Sequence, residues 1–179
     1  IRPEAKVTVR RETPVSLLID AENSLGQVVA SRAMERCIEK AGQSYFGFAS
    51  VTNGNHIGIA GYYAMMALKK NMIGLCMTNA WPLVVPTFGI EPIIGTNPMA
   101  FAIPAKHERP FVLDMATSVA PIGKMEVYRR HGKPVPAGWA IDEDGDPALD
   151  AETVIRCVYK SKRGGLLPLG GLEETAGYK

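Results

Sequence analysis

Apolar residues recur every four positions through Val29, Ala33, Cys37 and Ala41, and Val28, Met34 and Ile38 widen that stripe. The period predicts an amphipathic helix that follows the turn at residues 23–26, ends near Gly42 and packs one face on a sheet. Ahead of it, residues 6–11 and 16–20 are rich in β-branched and apolar side chains and are separated by Thr13-Pro14. They read as two strands of a hairpin. Residues 45–51 are short, apolar and aromatic and predict a third strand, which leads into the polar loop Thr52-Asn53-Gly54-Asn55-His56. A second helix is expected over residues 57–70, through Ala60, Ala64, Met65 and Leu68, with Lys69 and Lys70 beside its negative C-terminal end.

Residues 72–78 read as a buried strand. From Trp81 to Pro98, prolines at 82, 86, 92 and 98 rule out a long helix and predict an ordered loop. Residues 99–103 and 111–115 then read as strands. A helix is expected over 121–130, with proline at its start and Gly132 just beyond its end, then a turn at Asp144-Gly145 and a last short helix over 151–160.

At 179 residues and 46% hydrophobic content, the chain is long enough to bury a core in one domain with a piece of a second. Its charge nearly balances, at +2, and its longest basic group is Lys160, Lys162 and Arg163. No nucleic-acid partner is therefore expected. The 3 cysteines, Cys37, Cys76 and Cys157, lie far apart and read as buried thiols of a reducing compartment rather than a disulfide or zinc framework. Apolar runs are interrupted well before the roughly 20 positions that a membrane span needs, and the start lacks the basic-then-apolar pattern of a leader. The expected location is cytoplasmic, without membrane association. Ile1 at one end and Gly177-Tyr178-Lys179 at the other read as the cut ends of a longer protein.

The loop that carries His56 lies between a predicted strand and a predicted helix, where α/β chains present functional groups. Imidazole titrates near neutral pH, so His56 is a candidate for proton handling; it reads equally as a cap of the following helix. The strand end Asp114-Met115-Ala116-Thr117-Ser118 offers a carboxylate, amides and hydroxyls that suit ribose or phosphate oxygens, or simply cap the next helix. Thr96 and Asn97, inside Gly95-Thr96-Asn97-Pro98, fit a pocket lining or an ordinary turn. Asp142, Asp144 and Asp146 alternate like calcium ligands, but Pro147 stands where such a loop needs glycine, and no metal site is expected. The Gly-x-Gly-x-x-Gly fingerprint of classical dinucleotide folds is missing, and so is the P-loop spacing.

In order along the chain, Thr13-Pro14, Asp20, Leu25-Gly26-Gln27, Asn55-His56-Ile57-Gly58, Met77-Thr78-Asn79, Pro82-Leu83-Val84, Gly95-Thr96-Asn97-Pro98, Leu113-Asp114-Met115-Ala116-Thr117-Ser118, Gly123-Lys124, Gly138-Trp139-Ala140 and Gly177-Tyr178-Lys179 resemble the malate/L-lactate dehydrogenase type-2 family. That family includes malate, sulfolactate, ureidoglycolate and diketogulonate enzymes. The resemblance implies an α+β, non-Rossmann nicotinamide-binding domain over residues 1–179. It would be built on a mostly antiparallel mixed sheet of about seven strands flanked by helices, and would lack the family's N-terminal helical substrate segment and its C-terminal part. It implies an oxidoreductase exchanging hydride between NAD or NADP and a small 2-hydroxy acid or 2-oxo acid such as malate or lactate. His56 would be catalytic, Asp114, Met115, Ala116, Thr117, Ser118, Tyr178 and Lys179 would bind the cofactor, and Thr96 and Asn97 would touch substrate. A homodimer acting on a small molecule is implied. Two alternatives stand beside it: a reductase of cyclic imines such as piperideine- or pyrroline-2-carboxylate, and a truncated chain without turnover.

Overall fold

The computed structural model describes residues 1–171, so the expectation for Tyr178 and Lys179 lies outside the described residues. The chain divides into two compact units. One comprises Ile1–Cys76 and Met99–Asp114, the other Met77–Pro98 and Met115–Lys179.

The first unit opens with the expected hairpin. Strand β1 (Thr8–Glu12) pairs antiparallel with β2 (Ser16–Asp20), with a register shift between Val9 and Arg11. Thr13 closes the turn, its Oγ1 accepting from the Ser16 amide at 3.0 Å. Helix α1 (Gly26–Ser44) then lays Val29 and Ala33 against Leu17, Ile19 and Ala21, all buried. Lys40 fastens its far half to the hairpin, with Nζ at 2.7 Å from Glu12 Oε1 and donating to the Thr13 carbonyl at 2.7 Å. The helix runs two residues past its expected end and stops where Tyr45 takes a left-handed φ of 62°. For that reason the next strand, β3 (Phe48–Thr52), starts three residues later than the apolar run suggested, and it pairs parallel with β2.

Helix α2 (Ala60–Met66) begins after residues 57–59, which the apolar spacing places in the helix and which form an irregular loop with Gly58 at φ 79°. A 3₁₀ turn, Ala67–Lys70, finishes it. Strands β4 (Gly74–Met77), β5 (Met99–Ile103) and β6 (Phe111–Met115) form a second sheet in that order, and Ala60 and Ala64 of α2 pack on Ala100 and Ala102 of β5.

The second unit holds α3 (Ile122–His131), ended by Gly132 at φ 60°, and α4 (Ala151–Arg156), which runs on into a π-helical turn, Cys157–Ser161. Asp150 caps α4 by accepting from the Thr153 amide at 2.8 Å, satisfying one of the free amides of the first turn. The core gathers Met125, Val154, Val158, Leu166 and Val84 around Ala140 and Ala151. Two short strands, β7 (Ala140–Ile141) and β8 (Gly165–Leu166), pair antiparallel inside it.

The architecture is α+β, as expected, but the single sheet of about seven strands is not what forms. The described strands make three small sheets, of three, three and two strands. In the second unit the proline-rich segment at 82–98 limits how far strands can pair. Leu83 and Val84 donate to the Ile94 carbonyl and Val85 to that of Leu166, yet Pro82, Pro86 and Pro92 have no N–H to extend a ladder. These residues therefore join neighbours through isolated bridges only. The cysteines also differ from expectation, since Cys157 is buried while Cys37 and Cys76 are half-buried; all three are free thiols. Among the described residues no helix is long and apolar enough to cross a membrane.

Met125 is fully buried in the second unit, whereas Val127 on the same helix is exposed. Met125→Ala is expected to cost about 2–5 kcal/mol and Val127→Ala less than about 0.5 kcal/mol, read as shifts in the urea unfolding midpoint. Equal shifts would contradict the packing described.

Candidate functional site

His56 sits at the end of a loop tied down through the Thr52 and Asn53 carbonyls and the Asn53 and Asn55 side chains. Asp20, at the end of β2, has one carboxylate oxygen accepting from the Glu22 amide at 2.9 Å and the Asn53 side-chain amide at 3.1 Å. Its other oxygen takes Arg10 Nη2 at 2.9 Å. Those bonds, led by the Glu22 amide and followed by Asn53 and Arg10, hold the Asp20 carboxyl below the usual carboxylate range. The Asn23 amide donates to the Asn53 carbonyl at 2.9 Å, so the chain leaving β2 is tied to the chain leaving β3. Asn55 strengthens that tie, its Nδ2 lying 3.0 Å from the Asn23 carbonyl, 2.8 Å from Asn23 Oδ1 and 2.8 Å from the Ser24 carbonyl.

The start of α1 closes the arrangement from below. A Cβ built on Gly26 would stand 2.1 Å from the Asn55 carbonyl oxygen and 2.6 Å from that of His56. Only glycine permits this approach. The His56 side chain itself is exposed, and its Nδ1 accepts from the Gly58 amide at 3.0 Å. Beyond it, the buried Tyr63 donates its hydroxyl to the Ile57 carbonyl. Burial pushes the Tyr63 hydroxyl up, so it remains a donor at neutral pH.

Next to this loop, between the first turns of α1 and α2, lies an open cleft of about 650 Å³, lined among others by Gln27, Ser31, Arg32, Ile57, Ile59 and Tyr62. Arg32 forms no ion pair or hydrogen bond among the described residues. Gln27 and Ile57 lie in the motifs that carry the family resemblance, whereas Ser31, Arg32, Ile59 and Tyr62 bear no motif of their own. The available signal was the polar series Gln27, Ser31 and Glu35, spaced by four on the α1 face away from its core stripe.

Asp114 is exposed at the end of β6, and its Oδ2 accepts from the Gly61 amide at 2.8 Å, at the first turn of α2. A Cβ on Gly61 would meet that oxygen at 2.6 Å, so the glycine is required for the contact. Nearby, burial first and the Asp114 charge second push the Cys76 thiol up to about 11, which keeps it protonated.

In the second unit, Thr96, Asn97 and Thr117 are brought together. Thr117 donates its amide to the Thr96 carbonyl at 2.8 Å, and its Oγ1 reaches the Thr96 and Asn97 carbonyls at 3.0 and 3.3 Å. Asn97 Oδ1 accepts from the Ala80 amide at 3.0 Å. Ser118 is buried and donates its hydroxyl to the Ala120 carbonyl at 2.9 Å, shaping the turn into α3. Met115 and Ala116 are half-buried. The acidic series at 142–146 folds on itself, with Asp142 Oδ1 accepting from the amides of Asp144 and Asp146, both at 3.0 Å. Among the described residues no group of three or more acidic, His or Cys side chains is placed to hold a metal ion.

The exposed imidazole of His56 thus stands on a strand-to-helix loop beside an open cleft, and the sequence carries no glycine-rich phosphate loop. The sequence pattern of the malate/L-lactate dehydrogenase family matches residues 1–179, and the chain belongs to that family. It is 53% identical over 172 residues to a malate dehydrogenase of Pyrococcus horikoshii, covering 96% of this chain and 46% of that protein. With an L-sulfolactate dehydrogenase of Methanothermobacter thermautotrophicus it shares 41% identity over 171 residues, 96% of this chain and 48% of the relative. The solved malate dehydrogenase of Entamoeba histolytica superposes with a TM-score of 0.93 at 41% identity, over 99% of this chain and 49% of that one. The chain thus spans about half the length of the curated relatives it matches.

Two outcomes are expected from this geometry. Gly26→Ala drives a methyl into the Asn55 and His56 carbonyls and should destabilise by about 1–3 kcal/mol or more in chemical denaturation; an unchanged midpoint would contradict the close approach. The Asp20 charge is favoured in the folded chain, so its contribution is present above the ordinary value of 3.8 and is lost as pH falls through the lowered folded value. Asp20→Asn should accordingly lower stability at pH 7 and flatten the decline below pH 4, measured as unfolding midpoints across pH.

Proposed function

We propose that the full-length protein is an NAD(P)-dependent dehydrogenase of small 2-hydroxy acids, acting reversibly on the corresponding 2-oxo acids. One observation carries the reading: in a chain of this family, the exposed His56 stands in the loop after β3, between an Asn55 bonded to Ser24 and a Gly58 amide bonded to its ring, beside the cleft between α1 and α2. An imidazole so placed can meet a substrate oxygen without first being ordered. The names of the relatives, malate and sulfolactate dehydrogenases, support an anionic hydroxy acid as the substrate class.

The run Asp114, Met115, Ala116, Thr117 and Ser118 is assigned to the cofactor. Asp114 fits best, because one of its oxygens is anchored on Gly61 while the other meets no donor among the described residues and is available to ribose hydroxyls. The Thr117 and Ser118 hydroxyls already donate within the chain, so this turn would contribute chiefly its backbone and the Met115-Ala116 surface. Bound there, the nicotinamide would supply or accept the hydride. Thr96 and Asn97 are assigned to substrate. The four-carbon and three-carbon acids malate and lactate, the choice between NAD and NADP, a homodimer and a cytoplasmic location all go with this reading, as does residues 1–179 forming the cofactor-binding part of a longer enzyme.

The test is oxidation of NADH and NADPH by the full-length protein against a panel of 2-oxo acids and cyclic imines. Turnover with a 2-oxo acid is expected; turnover with cyclic imines alone would replace the hydroxy-acid reading. His56→Ala should then lower turnover by about 10²-fold or more with cofactor affinity nearly kept, as measured by steady-state kinetics and cofactor titration.

A further inference from the structure

Helix α2 carries no charged side chain, and both of its sides are apolar. Ala60, Gly61, Tyr63 and Ala64 are buried, while Tyr62 and Met65, with Ile59 just ahead of the helix, stand 58, 42 and 71% exposed on the other side. A helix that is apolar all round is normally enclosed by other protein. Tyr62 is already set for contact, since its ring stands edge-on to that of the buried Tyr63, with centroids 5.3 Å apart. Across the open cleft, α1 contributes the exposed Val28 and then two charges, Arg32 and Glu35.

Those two charges indicate the occupant. Arg32 and Glu35 are exposed, lie three residues apart on one helix, and have no ion pair or hydrogen bond among the described residues. One turn further on, Arg36 and Glu39 have the same spacing and do pair, at 3.7 Å. The cleft therefore holds one free cation and one free anion in an apolar surround, and a strongly charged partner gains nothing on it. A second copy of the same face, turned about a two-fold axis with the α1 helices antiparallel, satisfies both charges at once. When Arg32 reaches Glu35 of the partner subunit, symmetry brings Glu35 to Arg32 of the partner subunit. Any other occupant must supply an acid and a base of its own at matching positions.

We propose that the face formed by α1 and α2 is a two-fold interface between copies of this chain, with Val28, Ile59 and Tyr62 at its apolar centre and two reciprocal arginine–glutamate pairs across the axis. This rests on the homodimer that goes with the function proposed above and names its surface. Tyrosine is enriched at the desolvated centre of protein interfaces, and opposite charges across them set register more than they add affinity. Ile57 and Gly58 line the same cleft, so the second copy stands against the loop that carries His56 and closes that side of it to water.

The test uses the full-length protein, with dissociation constants from fluorescence-detected sedimentation velocity and folding followed by circular dichroism. The parent is expected to be a dimer. Arg32→Glu and Glu35→Arg each set like charges opposite one another at two points, and each is expected to raise the dissociation constant by about tenfold or more. The double exchange rebuilds both pairs and is expected to return the constant to within about threefold of the parent. Tyr62→Asp, at an exposed position, is expected to keep the parent spectrum and to weaken the dimer by about 10²-fold or more. A dimer indifferent to all of these substitutions overturns this face and leaves the homodimer standing. Single exchanges that weaken the dimer without rescue by the double one overturn the two-fold pairing and point to another segment of protein on the cleft. A monomeric parent overturns the face and the homodimer together, while turnover in the 2-oxo acid panel reports on the dehydrogenase reading separately.

Discussion

The Asp20 carboxylate is the interaction on which the site's geometry rests. It sits at the C-terminal end of β2, almost buried, and its two oxygens receive the Glu22 amide, the Asn53 side chain and the Arg10 guanidinium. A carboxylate in such a place is stable only while its donors remain, because an unpaired buried charge is expensive. The three donors come from β1, from the turn into α1 and from the loop after β3. One acid thus fixes where three segments leave the first sheet. With the exits fixed, Asn23 and Asn53 face each other, Asn55 finds its acceptors, and α1 can start directly beneath His56.

That architecture also accounts for the missing glycine fingerprint. A classical dinucleotide site leaves the N-terminus of a helix open to the pyrophosphate. In the first unit the corresponding positions are filled by the chain itself. The start of α1 is roofed by the Asn55 and His56 carbonyls, and the first turn of α2 is occupied by Asp114. A glycine-rich loop would have no open helix end to serve. The glycines present do another job, at positions 26 and 61, where they let a backbone or a carboxylate come closer than any side chain would allow.

Much of the fold was legible because its signals are local. The hairpin, the four-residue period of α1, and the strands at 99–103 and 111–115 follow from alternation, breakers and periodicity within short windows. What failed depended on partners distant in sequence. Tyr45 looked like strand by composition but ends α1 in a left-handed turn; β7 and β8 are two residues each and exist only because they meet in a core. The prolines at 82, 86 and 92 mark where regular pairing stops in the second unit, whereas the separation of β1–β3 from β4–β6 has no local mark in the sequence. At the site, His56 was visible from its loop, whereas its Gly58 partner and the Asp114–Gly61 contact were not. The latter joins residues 53 apart in sequence, and its one local trace was a glycine inside a helix, normally a disfavoured choice.

Neither unit is an uninterrupted stretch of chain: the boundaries fall at Cys76, Pro98 and Asp114, next to the ends of β4, β5 and β6. In the second sheet β5 is the middle strand. During vectorial synthesis β4 therefore leaves the ribosome with its bonding edge bare and must wait until the whole proline-rich excursion has been made before its neighbour arrives. The prolines of the excursion limit it to single bridges, which leaves it a poor competitor for the waiting edge in that interval.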